Sequence, residues 1–211
     1  FSVDLHTTGC GVVDIFSHTF ERYFCQSDKM EFSDYLAEAL MRNVLDNGRR
    51  LSKNLKDYTA RANIMIASSF SHNGLTGIGK NITMPIHKLE HELSALNPII
   101  AHGEGLAILI PSWMEICYHL DPTKFISFAE NVMGVDKNLS EYEKIEESIK
   151  RLREFFSLFN LKTHMNDFGI TKDDVKTMSD VIVSKQIKMF DIDGEIDYNL
   201  AIKIYLNCLG E

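Results

Sequence analysis

No stretch of this 211-residue chain approaches the ~18 consecutive apolar residues of a membrane-spanning helix, and its apolar start lacks the basic flank of a secretory signal. A block of Lys or Arg is also missing. Twenty-two basic residues stand against 30 acidic ones, for a formal net charge of −8, which argues against nucleic acid or an anionic membrane as a main partner. Cysteine is sparse. Cys10, Cys25, Cys117 and Cys208 lie far apart with no Cys-x-x-Cys pair, the pattern expected of reduced thiols in a cytoplasmic protein rather than of a disulfide scaffold. With only four prolines and no sustained period-2 alternation, the chain is expected to be all-α. An initiator Met is lacking too: the chain opens at Phe1, and it is read as a piece of something longer.

What is present is mostly helix signal. The pattern predicts a first helix over Gly9 to Cys25 and a second over Phe32 to Asn47, with Leu36, Leu40, Val44 and Leu45 on one stripe and Gly48 at C′. Asp57 or Thr59 is expected to cap a third helix, running through Ala60, Ile64, Ala67 and Phe70 to Gly74. Gly74-Leu-Thr-Gly77-Ile-Gly79 spells neither GxxxxGK[ST] nor GxGxxG and follows a helix, so it reads as a connector rather than a phosphate loop. Thr83 and Pro85 suit the entry of a fourth helix that Asn97-Pro98 ends. His102 falls at the mouth of a fifth, where Gly103 and Gly105 permit close backbone approach and Pro111 is expected to kink the helix. Asp121-Pro122 opens a helix stopping near Gly134. Ser140 with Glu143 and Thr171 with Asp174 are capping boxes, and a last helix covers Tyr198 to Leu209. Asp191 to Asp197 fails the calcium-loop register and reads as an acidic turn and helix cap. Met65, Met84, Met114 and Met133 read as core filler.

Chemistry concentrates in the histidines, of which there are eight. Asp14 and His18 are four apart, as are His87 and His91, so each pair shares a helix face, and His102 follows. Val12, Val13, Ile15, Phe16 and Phe20 surround the first pair, which implies a buried carboxylate needing a cation or a metal. One carboxylate with several imidazoles suits Fe²⁺ or Zn²⁺ better than Mg²⁺ or Ca²⁺. On spacing alone His87 and His91 could both be ligands. His6, His72, His119 and His164 lack such companions and read as ordinary surface or core histidines.

The segments Gly11-Val-Val-Asp14-x-x-x-His18, His87-x-x-x-His91-Glu-Leu-Ser-Ala and His102-Gly-x-Gly-Leu-Ala-Ile-x-x-Pro111-x-Trp113-Met114 together resemble the C-terminal helical domain of iron-containing alcohol dehydrogenases, nearest the clostridial-type NAD(P)H-dependent butanol dehydrogenases. Asp57-Tyr-x-x-Arg61-Ala-Asn63-Ile-Met65 and the Ile204-Tyr205 helix fit as well. Two features depart from the family pattern: the His91–His102 interval is one residue longer, and Thr83-Met-Pro-Ile-His87 replaces Asp-Trp-Ala-Thr-His. The resemblance implies residues 1–211 as a single metal-binding domain whose divalent ion, Fe²⁺ with Zn²⁺ as the alternative, is held by Asp14, His18, His87 and His102. His91 is then a nearby proton-handling residue. It also implies an alcohol or aldehyde substrate, NAD(P)H bound by an N-terminal α/β nucleotide domain of the parent chain, and possible homo-oligomers. The isolated chain is then expected not to turn over alcohol. Two rivals are a non-catalytic all-α metal-binding or interaction module and a zinc enzyme resembling glycerol dehydrogenase.

Overall fold

The computed structural model describes residues 1–25, 31–188 and 195–210. Among them the regular structure is helical: α1 (Leu5–Phe24), α2 (Glu31–Lys53), α3 (Tyr58–His72), α4 (Pro85–Leu96), α5 (His102–Cys117), α6 (Pro122–Asn131), α7 (Glu141–Ser157), α8 (Lys172–Ser184) and α9 (Tyr198–Leu209), with short 3₁₀ turns between. The one extended pairing in the described residues is an isolated bridge between Lys188 and Glu195. No described helix is long and apolar enough to cross a membrane.

Most boundaries follow from local chemistry. Asp57, Asp121, Ser140, Thr171 and Asp197 each accept a backbone N–H of the first turn of the helix they precede, and Ser140 and Thr171 form full capping boxes with Glu143 and Asp174. Of the acidic turn expected at Asp191 to Asp197, residues 191–194 lie outside the described residues; Asp197 does cap α9.

Glycine is where the expected boundaries fail. α1 begins at Leu5, capped by Asp4, and runs through Gly9; α2 continues past Gly48 to Lys53. Both glycines are interior contact points. A Cβ on Gly9 would lie 2.3 Å from Cβ of Phe159, and one on Gly48 would lie 2.7 Å from the Phe155 ring. Close packing, not a helix boundary, explains them. α8 ends at Ser184, and α5 is unbroken through Pro111.

α1 is the central element, packed on α2, α3 and α5, and α5 also meets α4, α7 and α9. One side of α1 enters an aromatic core. Phe20 and Phe24 lie edge-on to Trp113 at 6.0 and 5.4 Å between ring centroids, and Trp113 stacks on Phe125 at 5.3 Å. Phe16 and Phe20 both lie against Phe128. Each fully buried aromatic of this kind contributes roughly 1.5–3 kcal/mol by transfer from water. Met114 and Met133 belong to this interior, whereas Met65 is 72% exposed on α3 and is not core filler.

Candidate metal centre

The side of α1 away from the aromatics carries Asp14, His18 and Glu21, spaced at three and four residues and therefore stacked along one stripe. Three other helices bring their ends to it. α3 supplies His72 in its last turn, α4 supplies His87 and His91, and α5 opens with His102.

The approach of α5 to α1 is set backbone to backbone: a Cβ on Gly103 would lie 2.1 Å from the carbonyl oxygen of Cys10, one turn before Asp14. Arg22 pins α3 to α1, its guanidinium donating to the carbonyls of His18 and Ser71. The start of α4 is unusual. Its N-cap, Met84, is left-handed at φ 54° and offers no side-chain cap. Glu21 reaches over from α1 instead, accepting the backbone N–H of Ile86 at 2.6 Å and of His87 at 3.3 Å. A carboxylate at a helix N-terminus also meets the positive end of the helix dipole.

The four residues taken as ligands from the sequence converge. Asp14 Oδ1 lies 3.6 Å from His18 Nε2, 3.5 Å from His87 Nε2 and 3.4 Å from His102 Nε2. These separations are long for hydrogen bonds. They match donor spacing instead: a tetrahedral ion with bonds of roughly 2.1 Å needs donors about 3.4 Å apart. Asp14 Oδ1, His18 Nδ1 and His87 Nε2 are buried without a hydrogen-bond partner, a costly state unless something else satisfies them. One carboxylate and three imidazoles form a borderline donor set, so these residues fit a divalent transition ion.

Behind this ring stand two carboxylates without a sequence signal of their own. Glu21 contacts His87 Nδ1 and Glu90 contacts His102 Nδ1, and both acids are fully buried. Charge follows from the arrangement. Burial works against an imidazolium at His87, but Asp14 and Glu21 outweigh it and lift its pKa to about 9. Contacts to Asp14 and Glu90 outweigh burial at His102, which also rises to about 9. Burial and then the neighbouring His87 charge push His18 down to about 3. For Asp14, burial opposes ionisation, but His102 and His87 more than compensate and hold the carboxyl well below the usual range. Two imidazoliums thus stand among three carboxyl groups, and a divalent ion would deliver the same positive charge as the protons it displaced.

His91 lies further out. Its ring is 6.5 Å from that of His87 and 5.5 Å from that of His102, and its donor atom clusters with Glu90 and His102 rather than with Asp14. Burial, countered in part by Glu90, lowers its pKa. Reading His72 as an ordinary histidine needs correction. Its Nε2 is 3.7 Å from Asp14 Oδ2 and its ring 3.9 Å from that of His18. Helical pairing is a local signal and could not reveal a residue that arrives on another helix. His6 pairs with Glu104 at 3.2 Å, and His164 contacts Thr163. Phe16 and Phe20, which surround the Asp14–His18 pair in the sequence, are fully buried, as are Ile86 and Leu93 on α4.

Residues 8–192 match the sequence profile of the Fe-containing alcohol dehydrogenase family, C-terminal. The chain belongs to the iron-containing alcohol dehydrogenase family. Within that family it is 42% identical over 180 residues to NADH-dependent butanol dehydrogenase A of Clostridium acetobutylicum, covering 85% of this chain and 46% of that protein. It is 28% identical over 195 residues to the NADPH-dependent aldehyde reductase YqhD of Escherichia coli, covering 92% and 50%. A structure of the same E. coli reductase superposes with a TM-score of 0.89 at 27% identity, over 98% of this chain and 54% of that one. An NADH-dependent butanol dehydrogenase A from Thermotoga maritima superposes with a TM-score of 0.88 at 28% identity, over 100% and 54%. The chain therefore spans about half the length of the relatives it matches.

Proposed function

We propose that this chain is the metal-holding half of an NAD(P)-dependent alcohol dehydrogenase, with Asp14, His18, His87 and His102 as the ligands. The observation that carries the reading is the convergence of the His18, His87 and His102 Nε2 atoms on Asp14 Oδ1 at 3.4–3.6 Å, with Asp14 Oδ1 and His87 Nε2 buried and unpartnered. Iron is the ion we favour, from the family and from the mixed oxygen and nitrogen donors, with zinc as the alternative. When bound, such an ion supplies Lewis acidity to an alcohol or aldehyde oxygen, which eases hydride transfer to or from a nicotinamide.

The chain's own residues do the rest. Asp14 and the three imidazoles hold the ion between α1, α4 and α5, while the aromatic core on the other side of α1 keeps that helix rigid. His91, outside the ring of donors but 5.5 Å from the His102 ring, is placed to pass a proton between the site and solvent. Nicotinamide binding falls to an N-terminal nucleotide-binding domain in the proposed parent, and the relatives, about twice as long as this chain, support that division. A cytoplasmic location fits the same reading.

Anaerobic titration with Fe²⁺, repeated with Zn²⁺, tests the ligand assignment, with one ion per chain expected. Metal content unchanged in both His18→Ala and His102→Ala would refute it. In a parent enzyme, His91→Ala should keep its metal but lose turnover. Metal loss equal to that of His87→Ala would make His91 a ligand instead.

A further inference from the structure

Glu90 sits in the interior of α4, where it caps nothing. It is fully buried, and among the described residues its ion pair is with His102, through Nδ1. Its other oxygen accepts from the Ser94 hydroxyl. A carboxylate this deep, with no Lys or Arg paired to it among the described residues, is expensive to desolvate, and an apolar residue would avoid the cost. The neighbouring helix has been hollowed to admit it: a Cβ on Gly105 would lie 2.6 Å from Glu90 Oε1 and 2.9 Å from its Cγ.

The chemical effect falls on the far nitrogen of the ring. A carboxylate at Nδ1 keeps a proton there, so when the ring gives up its other proton the lone pair of His102 appears on Nε2, which faces Asp14 Oδ1 at 3.4 Å. Glu21 stands in the same relation to His87, whose Nε2 is 3.5 Å from the same oxygen, although Glu21 also caps α4. His18 differs, since its Nδ1 has no partner at all.

We propose that Glu90, seated in the space left by Gly105, is a positioning residue that holds His102 in its Nε2-ligating form, and that Glu21 does the same for His87. This rests on the metal-binding reading above. Two of the three imidazole donors are thereby oriented and made more basic before any ion arrives, which typically raises metal affinity by about 10–100-fold.

Glu90 gives the cleaner experiment because it has no capping duty. The chain and its Glu90→Ala, Glu90→Gln and Gly105→Ala variants would be titrated with Co²⁺ by calorimetry, with visible absorption recorded at saturation and melting followed without metal. Glu90→Ala should weaken Co²⁺ binding about 10–100-fold and change the cobalt bands. Glu90→Gln keeps an acceptor for the Nδ1 proton and should restore most of the affinity and the original spectrum. Gly105→Ala, which displaces the carboxylate without removing it, should behave like Glu90→Ala. If Glu90→Ala does not fold, Glu90→Gln and Gly105→Ala decide the matter. Wild-type affinity and spectrum in Gly105→Ala, or in Glu90→Ala, would overturn the proposal, as would a defect confined to metal-free melting. A wild-type chain that binds no Co²⁺ would instead sink the metal reading, and the positioning role with it.

Discussion

Two buried polar clusters flank α1, and they are built on opposite principles. Around Lys80 everything is paired. Its ammonium donates to the carbonyls of Arg22 and Tyr23 at 2.9 and 3.1 Å and to Asp34, whose second oxygen takes Lys124. Lys124 lies 4.0 Å over the Tyr23 ring, and Glu38 accepts both Tyr23 and Asn131 at 3.0 Å. Around Asp14, by contrast, four imidazole nitrogens crowd one carboxylate across gaps of 3.4–3.7 Å and several buried atoms have no partner. A closed network is architecture, while a cluster of ligand atoms turned inward and left unsatisfied suits a cation.

The sharpest way to separate the two is acidity. His87 and His102 carry protons up to about pH 9 in the metal-free protein, so an ion must displace both. Metal affinity should therefore fall as pH drops below 9, by as much as about a hundredfold per pH unit, in calorimetric titrations at stepped pH. The metal-free fold should respond in the other sense. Both groups rise from 6.5 to about 9 on folding, so their stabilisation is complete below pH 6.5 and is lost as pH climbs through 9. His18, lowered to about 3, contributes oppositely, weakening the fold as pH falls below 6.5. Saturating metal should flatten the alkaline loss in melting experiments.

Next in size is Lys80→Met, which leaves Asp34 facing Lys124 alone. Chemical denaturation should show a loss of about 3–5 kcal/mol, while the folded fraction still takes up one ion. Loss of metal in that variant would mean that the clusters are not independent. His18→Ala and His102→Ala should each weaken metal binding a hundredfold or more, about 2.7 kcal/mol, with little change in metal-free melting for His18→Ala and a loss for His102→Ala, which strips buried Glu90 of its partner. Smallest is Gly48→Ala, far from either cluster in function. Forcing a methyl group against the Phe155 ring should cost about 1–3 kcal/mol with metal content intact.

Sequence carried the helices a long way, and the family resemblance named the four residues that converge at Asp14 Oδ1. Capping boxes at Ser140 and Thr171, Asp-Pro at Asp121 and the i,i+4 pairs on α1 and α4 are local patterns, and local patterns survive in one dimension. What stayed hidden depends on contacts between helices. Gly9 looks like a helix start and Gly48 like a helix stop until Phe159 and Phe155 are seen against them. Glu21 and Glu90 are two acids among 30, unremarked until their histidines are found at the other end. His72 has no companion on its own helix, and it becomes part of the cluster only because Arg22 ties the end of α3 to α1.

Gly103 has a further meaning in this light. It follows His102 directly, and only the absence of a methyl group lets α5 rest on the Cys10 carbonyl one turn before Asp14. Backbone touching backbone leaves no side chain free to yield, so a larger residue there could be accommodated only by moving a whole helix. Position 103 therefore acts as a spacer of zero thickness. Any side chain added there would lengthen the reach from His102 to Asp14, so that one hydrogen atom in the chain calibrates the bite of the site.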